Sequence, residues 1–343
     1  MHKRTVIIPV FISHQGCPHQ CVFCNQDRIA GKADEIREKQ VREIIEEYLT
    51  TIDSNKCIIE VSFFGGTFTA IPVELQKELL SVAHEYKLKG KIHKIRMSTR
   101  PDAINKYILD YLKEYTVDII ELGVQSLNDE ILKMAGRGHS VYDVEKSSEL
   151  IREYGITLGH QIMPGLPGDT LEIDLETCKK SISLKPDIVR IYPALVIKDT
   201  PMEVMHSRGE YVPYTLEEAI DASKMMVKLY TDAGVNVIRV GLQGTDTIAL
   251  GKDVVDGPFH PAFRELVESN LIIDNILSRV SQEKHICIEI NSKDLSKLYA
   301  NKKQYFNSLC EVRTGKTEVL INDKIKRGTF KISIIEESFT FKV

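Results

Sequence analysis

The chain has 343 residues, 43% of them apolar and 27% charged, with a net charge of −4. These are the proportions of a globular protein with a sizeable core, and no stretch approaches the ~20 apolar residues of a membrane span. The seven cysteines come without secretory features, which excludes a disulfide framework and predicts a cytoplasmic protein. Charge is uneven: residues 284–343 carry twelve Lys and Arg against seven Asp and Glu, a balance of +5, leaving −9 to residues 1–283. Such a basic tail suits a polyanion, or is simply a solvated face.

Short apolar runs at 6–12, 58–64, 92–98, 118–124, 157–163, 187–192 and 235–240 alternate with amphipathic segments at 38–52, 73–88, 105–115, 141–154, 171–184 and 216–233. Leu75, Leu79, Val82 and Tyr86 recur at helical spacing, whereas the runs are continuously hydrophobic, as strands buried on both faces are. The alternation predicts an α/β fold with a parallel sheet and right-handed crossovers. A closed or partial (β/α) barrel and an open doubly wound sheet both fit. This domain is expected over residues 1–250, with a small basic α+β module in 251–343.

In every such architecture, chemistry gathers at the carboxyl ends of the strands. After the first run comes Cys17-Pro18-His19-Gln20-Cys21-Val22-Phe23-Cys24, a C-x₃-C-x₂-C triplet. Three soft thiolates on one loop hold one corner of an iron–sulfur cube and leave one iron open. A zinc knuckle is the alternative, with His14 or His19 as fourth ligand. The remaining Cys57, Cys178, Cys287 and Cys310 read as packing residues.

The second run is followed by Gly65-Gly66-Thr67, where a backbone without side chains can approach a ligand, or simply turn tightly. Ser98 ends the third run, Gln125 the fourth, and Gln161 lies in the fifth. Arg137, in Arg137-Gly138-His139, has a planar fork suited to a carboxylate, although alone it would read as an exposed cation at a helix end. His139 and His160 read as satisfied polar groups rather than ligands.

A strand, the cysteine triplet with Phe23 before its last member, and a Gly-Gly turn together resemble the radical S-adenosylmethionine (SAM) superfamily. The resemblance implies a partial (β/α) barrel, a 4Fe–4S cluster on Cys17, Cys21 and Cys24, and cleavage of SAM to a 5′-deoxyadenosyl radical. It places Phe23 near the adenine, Gly65, Gly66 and Thr67 at the amino group, Ser98 and Gln125 at the ribose, and Arg137 at the carboxylate. Gln161 stands where a porphyrin-processing branch has Asp. Thr67 departs from the acidic residue usual after the glycines, and Ser98 from a common Glu.

Four strings, Ser98-Thr99-Arg100-Pro101-Asp102, Arg137-Gly138-His139, the segment 160–168 and the segment 191–197, resemble the elongator protein 3 branch over about residues 5–270. This implies modification of the wobble uridine of tRNA, with an electron donor such as flavodoxin or ferredoxin. The elongator subunit spaces its first two cysteines more widely and carries an acetyltransferase domain, for which the segment after residue 270 is too short. The cofactor chemistry therefore carries over, and the acetyl donor does not. The tail, with its basic Asn301-Lys302-Lys303 loop between helical segments, is similar to the KH module without its glycines. A structural cap is the plainer alternative. Other functions that fit are an oxygen-independent coproporphyrinogen oxidase, whose further cysteine is here Gln26, and a non-catalytic iron–sulfur or zinc RNA-binding protein.

Overall fold

A computed structural model of the chain describes residues 4–12, 17, 19–25, 36–54, 56–244 and 248–335; His14 and Gln26 lie outside them. The apolar runs form strands β1 (Arg4–Ile12), β2 (Cys57–Gly65), β3 (Lys94–Thr99), β4 (Ile119–Gln125), β5 (Thr157–Ile162) and β6 (Ile188–Ile191). Two further strands are β7 (Val196–Ile197) and β8 (Asn236–Val240). All but β7 join one sheet in the order β1-β2-β3-β4-β5-β6-β8, and every neighbouring pair is parallel. The order never reverses, as a doubly wound sheet would at its switch point. With β1 and β8 first and last in that order, the sheet is a partial (β/α) barrel, as the sequence predicts.

Parallel neighbours require crossovers. These are α1 (Glu38–Thr51), α2 (Val73–Leu88), α3 (Lys106–Glu114), α4 (Asp129–Met134), α5 (Val141–Glu153), α6 (Leu171–Ser183), α7 (Pro201–Ser207) and α8 (Leu216–Asp232). The last six begin at Asn105, Asn128, Ser140, Thr170, Thr200 and Thr215, each accepting a first-turn N–H through its side chain. Each such cap contributes about 1 kcal/mol and sets where the helix starts. Strand residues Ile59, Val61 and Phe63 and helix residues Leu79, Leu80 and Ala83 are fully buried, so β2 is covered as a continuous apolar run requires.

A buried ionic ladder crosses this sheet. Arg96 on β3 donates from Nε (3.0 Å) and Nη2 (2.6 Å) to Glu60 on β2, and from Nη1 to Glu121 on β4 (2.7 Å). Glu121 in turn accepts from Arg190 on β6 through both carboxylate oxygens. It must pass β5 to do so, at Gly159, where an added Cβ would stand 2.8 Å from its Cγ. Gly159 is therefore required by the side chain that crosses it. Burial pushes the Glu121 carboxyl up, but Arg190 and Arg96 outweigh it and hold the group below its ordinary value.

The chain divides into two units, Met1–Pro261 and Ala262–Val343. The expected division after residue 250 falls eleven residues earlier. Residues 251–261 stay with the first unit because strand β9 (Val254–Asp256) pairs with β7 and Val254 is buried with Leu195, Ile197 and Ile248. The second unit holds α9 (Phe263–Leu277), β10 (Ile286–Ile290), α10 (Leu295–Leu298), α11 (Ala300–Val312), β11 (Thr317–Ile321) and β12 (Phe330–Ile334). Its sheet has the order β11-β10-β12, parallel on one side of β10 and antiparallel on the other. Ile276, Ile286, Ile288, Ile290, Leu298 and Leu309 form its core. The basic loop expected at 301–303 is a left-handed turn, with φ of 49° at Asn301, 54° at Lys302 and 68° at Lys303. Cys178 is buried as expected, whereas Cys310 is exposed.

Candidate functional site

The strand ends enclose a cavity of about 610 Å³ in the first unit. Cys17, Cys21, Phe23, Cys24, Gly65, Gly66, Thr67, Ser98, Gln125, Arg137 and Gln161 all line it. Arg100, Glu121 and Tyr192 line it as well, and sequence reasoning gave them no role. For Arg100 and Tyr192 the signal was position alone, since each directly follows the last residue of its strand, whereas Glu121 lies in the first half of β4.

The cysteine loop is pinned by two short helices that hydrophobic periodicity missed. Val22 N–H donates to Ala135 O after α4 (3.0 Å), and Met202 N–H on α7 donates to Val22 O (2.8 Å). Val22 and Phe23 pack on Ile131, Ala135, Leu166 and Met202. Cys24 N–H closes a turn on Cys21 O (3.1 Å), which keeps two thiols on one tight bend. None of the three is in a disulfide; Cys21 is buried and its two companions half-buried.

Gly65 has φ of 106°, and a Cβ there would press on the Ile12 backbone at 3.1 Å. The turn is thus drawn against the end of β1, and Gly66 N–H donates to Ile12 O (2.8 Å). Thr67 is buried, and its hydroxyl lies 3.1 Å from Cys17 Sγ. It thus faces the cysteine loop.

Gln125 ends β4 in the left-handed region, φ 66°, beside a break in the β4–β5 register after Leu122. A residue other than glycine held there stores about 1–3 kcal/mol and marks functional sites. Its amide oxygen is buried without a hydrogen-bond partner. Arg137 is 6% exposed; Nη2 donates to Gly123 O (2.5 Å) and Nη1 to Cys21 Sγ (3.4 Å), while Nε is unpartnered. The guanidinium expected to face a carboxylate thus uses one N–H of each tip within the chain, and its Nε has no partner. Arg100 is anchored by two 2.9 Å bonds to Asp102 and keeps Nη1 unpartnered.

The histidines separate. His160 lies fully buried between Ser148 (3.0 Å) and Ser181 (2.8 Å), a satisfied core group, and burial lowers its pKa to about 3. His139 has Nε2 3.2 Å from Val124 O but no partner at Nδ1. Burial first, then Arg137 and Arg100, lower it to about 3 as well, so it is neutral at pH 7.

Three thiols outside any disulfide, at one end of a cavity, make a soft donor set that fits an iron–sulfur cube with one open corner. Among the described residues, no group of three or more His, Cys, Asp or Glu is drawn tightly enough for a single metal ion. The orphaned polar atoms of Gln125, Arg137 and Arg100 fit a polar ligand beside that corner.

The profile of the family described as "Radical SAM superfamily" matches residues 11–180, and that of the "Radical_SAM C-terminal domain" matches residues 186–272. The chain belongs to the radical SAM superfamily. Enzymes of this family bind a 4Fe–4S cluster and SAM. The chain is similar to the tRNA uridine(34) acetyltransferase of Methanocaldococcus infernus, 32% identical over 255 residues, covering 63% of this chain and 48% of that protein. It is also similar to elongator complex protein 3 of Saccharomyces cerevisiae, 28% identical over 184 residues, covering 48% of this chain and 33% of that one. Among solved structures, the Elp3 of Methanocaldococcus infernus lacking residues 1–46 superposes with a TM-score of 0.63 at 27% identity, over 80% of this chain and 64% of that one. The chain spans about half the length of the tRNA uridine(34) acetyltransferase it matches. No helix among the described residues is long and apolar enough to cross a membrane.

Proposed function

We propose that this chain is a radical SAM enzyme that modifies tRNA at the wobble uridine. The observation that carries the first half is the convergence of the cysteine triplet, the Gly65-Gly66-Thr67 turn, Gln125 and Arg137 on one cavity. The second half rests on the names of the relatives above.

Cys17, Cys21 and Cys24 would hold the cluster, which together with SAM supplies one-electron cleavage to methionine and a 5′-deoxyadenosyl radical. The chain's own residues bind and orient. The carbonyls of Gly65 and Gly66 would accept from the amino group of SAM, Gln125 Oε1 and Ser98 from its ribose hydroxyls, and Arg137 would donate to its carboxylate. Phe23, fixed on the α4 and α7 core, offers a flat face to the adenine. Gln161 lines the same cavity and would contribute a polar contact to the bound SAM. The cavity walls exclude water from a group that would otherwise abstract hydrogen from solvent and buffer. A flavodoxin or ferredoxin supplies the electron, and the basic tail contacts the tRNA backbone. All of this is work for a cytoplasmic enzyme.

Anaerobic reconstitution should load about four irons per chain, and the reduced protein should then convert SAM to 5′-deoxyadenosine and methionine. Stoichiometric zinc with no turnover sinks this reading. For the substrate, mass spectrometry of tRNA nucleosides from cells with and without the gene should reveal one modified uridine that depends on it. Identical nucleosides, with no salt-sensitive tRNA binding, would leave the SAM chemistry standing and move the substrate to a small molecule such as a porphyrinogen.

A further inference from the structure

Two side chains in the cavity wall point at sulfur rather than at open space. Thr67 Oγ1 is 3.1 Å from Cys17 Sγ, and Arg137 Nη1 is 3.4 Å from Cys21 Sγ. Both residues are nearly fully buried, 1% and 6% exposed, and the Arg137–Cys21 contact is itself shielded from bulk water. With Cys17 as a thiolate, only the hydroxyl can donate, and the guanidinium can only donate. Each contact therefore puts a donor on a sulfur that gains negative charge whenever the metal group it ligates gains an electron. Donors and positive charge near such a sulfur stabilise the reduced state more than the oxidised one.

The sequence gives the first of these contacts its meaning. An acidic side chain in place of Thr67 would bring a negative charge, not a donor, beside Cys17. The two residues are also held from outside the loop. Thr67 sits on the turn drawn against β1, and Arg137 is fixed by its 2.5 Å bond to Gly123 O. Neither needs the cysteine loop to be in place before it is in place itself.

We propose that Thr67 and Arg137 are positioning residues whose hydrogen bonds to Cys17 and Cys21 raise the reduction potential of the iron–sulfur cluster. This rests on the reading that the triplet holds such a cluster. It implies that this chain's cluster accepts its electron from a weaker one-electron donor than it would with an acidic residue at position 67. Arg137 contributes more than Thr67, because it brings a full charge as well as a donor.

The test is a reduction potential, measured by dithionite titration with mediators on the reconstituted full chain without SAM, and read by visible absorbance and EPR. Thr67→Val keeps the volume and removes the donor. At the potential where the wild type is half reduced, its reduced-to-oxidised ratio should fall roughly three- to tenfold, tenfold being 59 mV for a one-electron couple. Thr67→Ser should return to the wild-type ratio. Arg137→Lys, which keeps the charge but cannot bond both Gly123 O and Cys21 Sγ, should fall less than Arg137→Gln. A cluster present in all variants with one common potential overturns the proposal and leaves the cluster intact. A wild type that takes up no iron and sulfide overturns the reading of the triplet and the proposal with it.

Discussion

The interior of the barrel shows two polar regions built on opposite rules. In the ladder, Glu60, Arg96, Glu121 and Arg190 satisfy one another, and the four charges sum to zero. At the cysteine end, Arg100 Nη1, Gln125 Oε1 and Arg137 Nε are buried with nothing to bond. An unmet buried donor or acceptor costs about 1–3 kcal/mol, so the second region is less stable than it would be if it were closed. The difference separates structure from function: complete networks hold the sheet, and incomplete ones wait for a ligand.

Breaking the complete network should have the largest effect. Arg96→Met strands the buried Glu60, leaves Glu121 with Arg190 alone, and should cost about 3–5 kcal/mol, seen as an earlier midpoint in urea. A loss under about 1 kcal/mol would mean that the ladder is solvated and the contrast false. At the incomplete end, Arg137→Ala should weaken SAM binding by about 1.5 kcal/mol, or roughly tenfold in Kd, since it removes a charged hydrogen-bond donor from the ligand. Calorimetry showing unchanged affinity would remove Arg137 from the SAM site. Gln125→Gly sharpens the comparison further, for it should raise stability by about 1 kcal/mol by relieving the left-handed backbone while lowering SAM affinity. If stability and affinity move together, Gln125 is not strained for function.

The smallest effect concerns pH. His160 has its pKa lowered from the ordinary 6.5 to about 3, because it is buried between two serines. The unfolded chain therefore binds the extra proton first, so the contribution is intact above 6.5 and is lost as pH falls toward 3. Between pH 7 and pH 6 this should cost roughly 0.7 kcal/mol. His160→Gln should flatten that part of the stability profile, and an unchanged slope would assign it to other groups.

Much of this was legible in the sequence, for identifiable reasons. Strands buried on both faces are continuous apolar runs, so the sheet's seven members and the loops that follow them could be read directly. The cysteine triplet needs only short-range spacing, and the residues after the glycines lie within a few positions of a strand end. The missed parts depend on distance through space. Helices α4 and α7 are six and seven residues long, too short for their period to register, yet they clamp the cysteine loop. The engagement of Arg137 with Cys21, across 116 positions of chain, has no local signature. Nor has the pairing of β7 with β9, which moved the unit boundary from 250 to 261.

The ladder also bears on how the sheet assembles. Glu121 and Arg190 are 69 positions apart, and β5, which carries no partner for Glu121, comes between them in both chain and space. A sheet built only as far as β5 would hold a buried carboxylate with a single guanidinium shared between it and Glu60. Docking β6 is what neutralises it, so the addition of that strand and the closing of the charge balance are one event. Loss of Arg190 should accordingly speed unfolding far more than it slows folding, which stopped-flow rates of Arg190→Gln against the wild type would register as a φ-value near zero.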